Sequence, residues 1–440
     1  MNGMRGIVFL ELVISVGILV ILLSAIASLI VTSYDLLGYA RTRISARHLA
    51  NEKMELIRNL PYDQVAVVGG IPAGTLPQLE TVERNGLAYK VRTSVVYVDD
   101  QFDGLAPTDT LPTDYKRVRV DVAWGGTFAS DSTITLVSDV SPQGIETNSN
   151  GGILSVLVID AQAQPISEAT VQIVNATALP VIDLTVQTDT LGRILLPGAP
   201  ACLECYQITV TKDGYSTDKT YTAIEVAHPE KPPATVIDGQ LTELGFVIDQ
   251  LSAVTIRSTY GRANNYAVMV NQFFQLSSAE TIGTDLAGEP VYKYDETLQT
   301  GGGGSVTVNG LEWGSYSLTV PAAAWDFAGS NPLSPFTVLP GATQTITFAS
   351  VVHSDNSLLL KTVDASSSAV PNVTVRLVTL PAFDEVLLSG DFDMPDFGQV
   401  FFGSLTQGIY DIEASKSGYL TSSYQATVSG TMKDVVKMNQ

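Results

Sequence analysis

Residues 1–31 read MNGMRGIVFLELVISVGILVILLSAIASLIV. From Ile7 to Val31 the side chains are apolar or small, and Glu11 is the one charge among these 25 residues. An α-helix needs roughly 20 apolar residues to cross a bilayer. An ionised carboxylate there costs on the order of 2.5–3.5 kcal/mol at the centre and less near the interface, so intramembrane acids are functional candidates. The stretch predicts a membrane-spanning helix with a functional acid near its start.

This segment resembles the class III signal of type IV pilins and type II secretion pseudopilins. A short basic leader ends in Gly6, and Glu11 is the fifth residue after it. The resemblance implies that prepilin peptidase cuts between Gly6 and Ile7, that Ile7 is methylated, and that Glu11 acts in filament assembly. The family's mature Phe and following Thr are Ile7 and Val8 here, and its helix-melting proline is absent because the first proline is Pro61.

Two plainer interpretations of the N-terminus stay open. One is an ordinary membrane anchor, and the other is a removed secretory signal, for which Ser24 to Ser28 supply small residues. A secretory signal has an apolar core of only about 7–15 residues, shorter than the run found here.

The helix is expected to continue beyond the apolar run as an amphipathic stalk. From Thr32 to Leu60 apolar residues recur at helical spacing among charged residues. Pro61 should stop the helix, because the residue before a proline is pushed out of helical conformation. We therefore divide the start of the chain into a leader (1–6) and a transmembrane and stalk helix (7–63).

Residues 64–141 read as a small antiparallel sheet. Leu87–Val98 and Tyr115–Trp124 alternate polar and apolar residues, and Thr133–Val137 follows. A sheet packed on the amphipathic half of the helix resembles the head of a pilin. Residues 142–152 have the composition of a linker.

A repeat follows the linker at a constant offset of 204 residues. Tyr206–Tyr215 (YQITVTKDGY) aligns with Tyr410–Tyr419 (YDIEASKSGY), and a weaker third copy lies between them. The copies resemble carboxypeptidase regulatory-like and Cna B-type domains, which implies small β-sandwiches at 153–240, 241–350 and 351–440. The predicted fold class is therefore α+β: a long N-terminal transmembrane and stalk helix with a pilin-like antiparallel head, then about three all-β immunoglobulin-like or prealbumin-like sandwiches.

The charge distribution excludes a nucleic-acid partner. The chain has 440 residues and a net charge of −21, and its acidic excess lies beyond residue 63. Nucleic-acid binding needs clustered cations. An acidic, Thr-, Ser- and Gly-rich region of this size is typical of an exported protein.

The only cysteines, Cys202 and Cys205, precede a strand-like row. A C-x-x-C pair is a local disulfide, a pair of free thiols, a redox motif or half a zinc site. In an oxidising compartment we expect the disulfide.

Acidic loops supply the candidates for a metal. Asp99, Asp100 and Asp103 lie in one loop, and Asp391 and Asp393 in another. Convergent oxygen ligands bind Ca²⁺, but neither spacing is that of a defined calcium loop, and solvated loops are the alternative. No phosphate loop, metal motif or nucleophile–base arrangement is visible, so we expect no enzyme activity and no cofactor.

The resemblance implies a minor pilin-like subunit in the cytoplasmic or inner membrane, with its C-terminal domains outside, which enters a surface filament. Its partners would be other pilin subunits through the N-terminal helix, prepilin peptidase, the membrane, and a surface, carbohydrate or protein ligand of the sandwiches. The alternative is a single-pass, membrane-tethered surface protein that joins no filament.

Overall fold

The computed structural model describes residues 4–71, 73–99, 114–125, 133–142, 151–321, 324–379 and 381–440, without the side chains of residues 4–11 and 13. One long N-terminal helix is followed by β-sheets that form several sandwiches. This confirms the predicted fold class.

The helix α1 comprises Met4–Arg58, 55 residues, and is about 80 Å long at 1.5 Å per residue. It ends shortly before Pro61, as the proline predicts. A turn of 3-10 helix, Tyr62–Gln64, follows and leads the chain into the sheets.

The strands follow in chain order: β1 Leu79–Arg84, β2 Leu87–Val98, β3 Tyr115–Trp124, β4 Ile134–Val140, β5 Gly152–Ile159, β6 Thr170–Asn175, β7 Ile182–Gln187, β8 Arg193–Ala199, β9 Cys202–Thr211, β10 Asp218–Lys219, β11 His228–Pro229, β12 Ala234–Val236, β13 Leu241–Val247, β14 Ser252–Tyr260, β15 Phe273–Ser278, β16 Thr281–Thr284, β17 Pro290–Tyr292, β18 Asp295–Gln299, β19 Ser305–Leu311, β20 Gly314–Thr319, β21 Trp325–Asn331, β22 Phe336–Val338, β23 Thr343–Val352, β24 Ser357–Val363, β25 Thr374–Thr379, β26 Phe383–Leu388, β27 Gln399–Phe402, β28 Gly408–Ser415, β29 Ser422–Val428 and β30 Thr431–Lys437.

The chain forms two compact units. The first contains Met1–Leu157, Thr170–Ile208 and Ala234–Gly245, and the second contains Val158–Ala169, Thr209–Pro233 and Phe246–Gln440. Strands β5, β9 and β13 each pass from one unit into the other.

The first unit is built on a seven-stranded sheet of order β13-β5-β8-β2-β3-β4, in which β1 also pairs with β2. Strand β2 has 12 residues and β1 has 6, so β1 covers only the first half of one edge of β2. Strand β8 pairs on the remaining half, where Leu195 lies opposite Tyr97. The sheet therefore continues across both predicted boundaries, the linker at 142–152 and the step at 240/241. Residues 143–150 of that linker lie outside the described part.

The two copies of the sequence repeat make the same local contacts. The Oδ1 atoms of Asp160 and Asp364 each accept from backbone N–H groups two and four residues later, at 2.8–2.9 Å. The Nζ atoms of Lys212 and Lys416 each donate to a backbone carbonyl 45 residues earlier, at 2.9 and 2.5 Å. The two segments therefore share their turns as well as their strands.

The second unit contains two sandwiches. We number them 2 and 3, after the second and third sandwich segments of the sequence. Sandwich 2 pairs the sheet β19-β14-β23-β21 with the sheet β18-β15-β20-β22, and sandwich 3 pairs β27-β24-β30 with β26-β25-β28-β29. In each sandwich an early strand pairs in parallel with a late one, β14 with β23 and β24 with β30. A small sheet, β11-β16-β17, belongs to the same unit.

Strand β24 is buried on both faces. Leu358 and Leu360 belong to the core of sandwich 3, whereas Leu359 packs into the core of sandwich 2, beside Phe401 of β27. A strand covered on both sides reads as a continuous apolar run rather than an alternating one, which is the pattern of residues 358–360. The sheet β27-β24-β30 therefore serves both sandwiches.

Candidate functional site

The N-terminal half of α1 is apolar and exposed. Its most apolar 18-residue window has a mean hydropathy of 2.8 and none of it is buried, and α1 is the one described helix long and apolar enough to cross a membrane. Leu12, Ile21 and Leu29 are 59, 69 and 70% exposed. Soluble proteins rarely leave a contiguous apolar surface of this extent uncovered. The segment is suited to a bilayer or to a bundle of similar helices.

The C-terminal half of α1 buries a single face. The buried residues recur at steps of three or four, with Leu49 and Ala50 adjacent, and the helix packs on β3 and β4; they are Thr42, Ala46, Leu49, Ala50, Met54 and Ile57. This spacing keeps them on one side of a helix with 3.6 residues per turn. This half of the helix therefore packs on the sheet of the first unit, whereas the described side chains of the other half are exposed.

Aromatic contacts and ion pairs hold the stalk on the sheet. The rings of Tyr39 and Trp124 have centroids 6.4 Å apart. Lys53 pairs with Glu80 of β1 at 2.7 Å, and a second ion pair joins the helix to the end of the same strand. Partly exposed ion pairs contribute about 0–1 kcal/mol each, so the apolar face provides most of the stability.

A buried lysine lies under the end of the stalk. The Nζ of Lys116 on β3 donates to the carbonyl of Tyr62 at 2.9 Å and lies 4.4 Å from the centre of its ring. Burial lowers the pKa of Lys116 to about 8, although nearby Asp63 opposes that shift. Burial also raises the pKa of Tyr97, the next ring in this cluster.

The structure places the predicted processing and assembly residues inside the helix. Gly6, Ile7 and Glu11 all belong to α1. Their side chains lie outside the described part, so their roles stay predictions.

Cys202 and Cys205 form a disulfide at the start of β9. Asn175 Nδ2 lies 3.6 Å from the sulfur of Cys202. The pair closes a loop of only a few residues, next to the buried strand residue Tyr206.

Of the candidate calcium ligands, Asp100 and Asp103 lie outside the described residues. Asp99 is half-buried at the end of β2, and Asp391 and Asp393 are exposed. The Oδ1 of Asp391 accepts from the side chain of Asn372 at 3.0 Å. Within the described ranges no group of three or more His, Cys, Asp or Glu residues is positioned to hold a metal ion.

A polar clamp that sequence reasoning did not find joins sandwiches 2 and 3. The buried carboxylate of Asp396 accepts from Arg262 at 2.8 Å and from the hydroxyl of Tyr266 at 2.7 Å. Burial and the contact with Asp396 raise the pKa of Tyr266 to about 12. The side chain of Gln399 completes the junction by bonding the backbone of Ser330 at both its N–H and its carbonyl. No local sequence pattern marks partners 134 residues apart.

The clamped loop carries exposed apolar residues at its tip. Asn331 donates to the carbonyls of Phe392 and Met394 at 2.8 and 3.1 Å. Phe392 is 70% exposed and Met394 is 39% exposed. Asn331 therefore anchors the backbone of the loop, while the apolar side chains of Phe392 and Met394 face solvent.

No protein-family model matches this sequence, and no curated protein matches it. Solved structures that resemble it include the Bacillus anthracis TIE protein, with 13% identity, coverage of 82% of this chain and 73% of that one, and a TM-score of 0.20.

Two pilins are also among the similar structures. The Streptococcal ancillary pilin is 15% identical, covers 66% of this chain and 99% of its own, and has a TM-score of 0.18. BcpA, the major pilin subunit of Bacillus cereus, is 10% identical; the match covers 66% of this chain and 99% of BcpA, with a TM-score of 0.16. With TM-scores this low the chains do not superpose as wholes, and the likeness carries no inference about function.

Proposed function

We propose that this chain is a minor subunit of a type IV pilin-like surface filament, which anchors and displays β-sandwich domains. The observation that carries the proposal is the division of α1. One half buries a face on the sheet of its own unit, and the other half exposes an uncovered apolar surface. A helix divided in this way is secured to its own domain at one end and free to insert at the other.

The proposal includes cleavage by prepilin peptidase between Gly6 and Ile7 and methylation of the new amine. Glu11 would then face the amine of Ile7 on a neighbouring subunit. Such a pair is favourable in an apolar bundle because each charge offsets part of the other's desolvation cost. The same carboxylate, if left alone in hydrocarbon, is unfavourable.

The β-domains support a minor rather than a major position. The described residues after 151 add strands to the first sheet and form further sandwiches, and this bulk would crowd a tightly packed shaft. We place the subunit at low copy number or at the filament tip, where its domains bind a surface or a substrate.

The test compares Glu11→Ala with Asp35→Ala, which removes an exposed acid farther along the same helix. Each variant is expressed in the native cells, and the protein is quantified in the membrane and in filaments sheared from the surface. We expect Glu11→Ala to keep wild-type membrane levels and to fall at least tenfold in sheared filaments, while Asp35→Ala matches wild type in both. Glu11→Ala at wild-type level in filaments would refute the pairing role.

Processing is tested by intact mass. The wild-type chain should begin at Ile7 with one added methyl group, and Gly6→Ala should retain the six-residue leader. A wild-type chain that retains Met1, or that never enters sheared filaments, would favour the second candidate, a membrane-tethered surface protein. The exposed apolar half of α1 fits that candidate equally well.

A further inference from the structure

A cleft of about 420 Å³ with charged and polar side chains in its lining lies within the first unit. Its floor is the face of β2 and β3 that points away from α1, and the β6–β7 hairpin forms its opposite wall. The side chains used below are Lys90, Arg92, the pair Arg119 and Asp121, Thr170, Thr185 and Gln187. Ligand sites for small molecules fall in the range of roughly 300–1,000 Å³.

Among the residues that the structure describes, two cations in this cleft have no partner. Asp121 lies directly opposite Arg92 in the strand register. Its carboxylate instead accepts from Arg119 at 2.9 and 3.1 Å and from Thr135 at 2.5 Å. Arg92 and its same-face neighbour Lys90 are both exposed. Neither has an ion pair or a side-chain hydrogen bond to any described residue.

The two charges lie side by side in a chain with a net charge of −21. Several described cations elsewhere in the β-region are in ion pairs, as in the pairs of Arg117 with Asp139 and Arg376 with Asp384. Two adjacent cations that line one cleft create a local positive field against an acidic background. Such a field attracts an anion, and the planar guanidinium suits a carboxylate or phosphate.

Uncharged polar groups surround the cations. Thr170, Thr185 and Gln187 line the cleft beside them. The Oε1 of Gln187 is buried and receives no hydrogen bond from the described protein. A buried acceptor of this kind is normally satisfied, and a hydroxyl of a ligand would satisfy it.

We propose that this cleft binds a uronic-acid residue of an acidic polysaccharide. Lys90 and Arg92 hold the carboxylate, and Thr170, Thr185 and Gln187 bond the sugar hydroxyls. The described lining residues include no aromatic ring, whereas single-stranded nucleic acid is bound by stacking on such rings. Duplex DNA needs many phosphate contacts, and two free cations on an acidic protein provide few.

The test uses the purified full-length chain in detergent, so it does not depend on filament assembly. A galacturonic-acid tetrasaccharide is titrated by calorimetry, with a neutral galactose tetrasaccharide, polyphosphate and a short DNA duplex as comparisons. We expect saturable binding of the uronate only. Lys90→Gln with Arg92→Gln should weaken that binding at least tenfold.

The matched control replaces two exposed cations outside the cleft, Arg257→Gln with Lys437→Gln, and should stay within twofold of wild type. Thr185→Val should weaken uronate binding without altering the unfolding midpoint. The proposal fails if wild type shows no saturable uronate binding, or if the Lys90 and Arg92 variant binds as wild type does. It also fails if polyphosphate or DNA binds more tightly through the same two residues. None of these outcomes bears on the role of Glu11 in assembly.

Discussion

Lys116 and Tyr62 join the end of the stalk helix to the sheet: the lysine Nζ donates to the tyrosine carbonyl at 2.9 Å and lies 4.4 Å from its ring centre. The lysine residue is 1% exposed. A cation so placed is tolerated because a carbonyl and two aromatic faces replace part of its hydration. The contact lies where the chain turns from helix into sheet.

Stability of the first unit should therefore rise with pH through the titration of Lys116. Its pKa is lowered to about 8 in the folded chain, against about 10.4 in an unfolded one. Between these values the unfolded state binds more protons, so the free energy of unfolding increases with pH. The slope from this group should stay below about 1.4 kcal/mol per pH unit, because a single lysine differs by at most one bound proton between the two states.

Urea unfolding at pH 7.5, 8.5 and 9.5 measures this effect. We expect Lys116→Met to lose the rise, while Lys90→Met, an exposed lysine on the neighbouring strand, keeps the wild-type slope. Equal slopes for Lys116→Met and wild type would show that the buried lysine is not the titrating group.

The same Leu→Ala substitution should destabilise the protein in the buried half of α1 and have little effect in the exposed half. Leu49 is fully buried, so Leu49→Ala should lower the free energy of unfolding by about 2–5 kcal/mol. Leu29, in the other half, is 70% exposed, and Leu29→Ala should change it by less than about 0.5 kcal/mol. Hydrogen exchange of β3 peptides across a urea series reports the local stability. Similar losses for both variants would mean that the exposed half also packs on the fold.

The Asp396 clamp should stabilise the junction of sandwiches 2 and 3. Asp396→Asn keeps the shape but removes the charge that Arg262 and Tyr266 bond. A hydrogen bond to a charged group contributes roughly 1.5–3 kcal/mol, and we expect a loss toward the lower end because Arg262 is 40% exposed.

The control for the clamp is Asp384→Asn, which breaks the pair with Arg376 in which both side chains are 42% exposed. Exposed pairs contribute little, so its midpoint for thermal unfolding should stay near wild type. If the two substitutions shift the midpoint equally, the clamp is no stronger than a surface ion pair.

Several features could be predicted from local sequence because their causes are local. The helix follows from an uninterrupted apolar run and its end from Pro61, since both depend on backbone preferences of neighbouring residues. The strands follow from alternation, and the shared turns of Asp160 and Asp364 follow from a repeat at constant offset. Gly6, Ile7 and Glu11 were selected by a motif, and their roles await the experiments above.

Other features depend on partners far apart in the chain. Strand β8 pairs with β2 because β1 leaves half of an edge free, a matter of relative strand length that no alternation pattern records. The burial of Leu359 in a second core depends on which sheet packs behind β24.

The sequence by itself therefore determined the elements: a long apolar helix, an amphipathic stalk and repeated β-segments, since periodicity and proline act over a few residues. Only the tertiary structure decided which charges meet. In the folded chain Asp396 pairs with Arg262, 134 residues away, and Asp121 pairs with Arg119 rather than with Arg92. Pairing depends on register and packing, and among the described residues it leaves Lys90 and Arg92 without an ion pair, in the lining of the cleft.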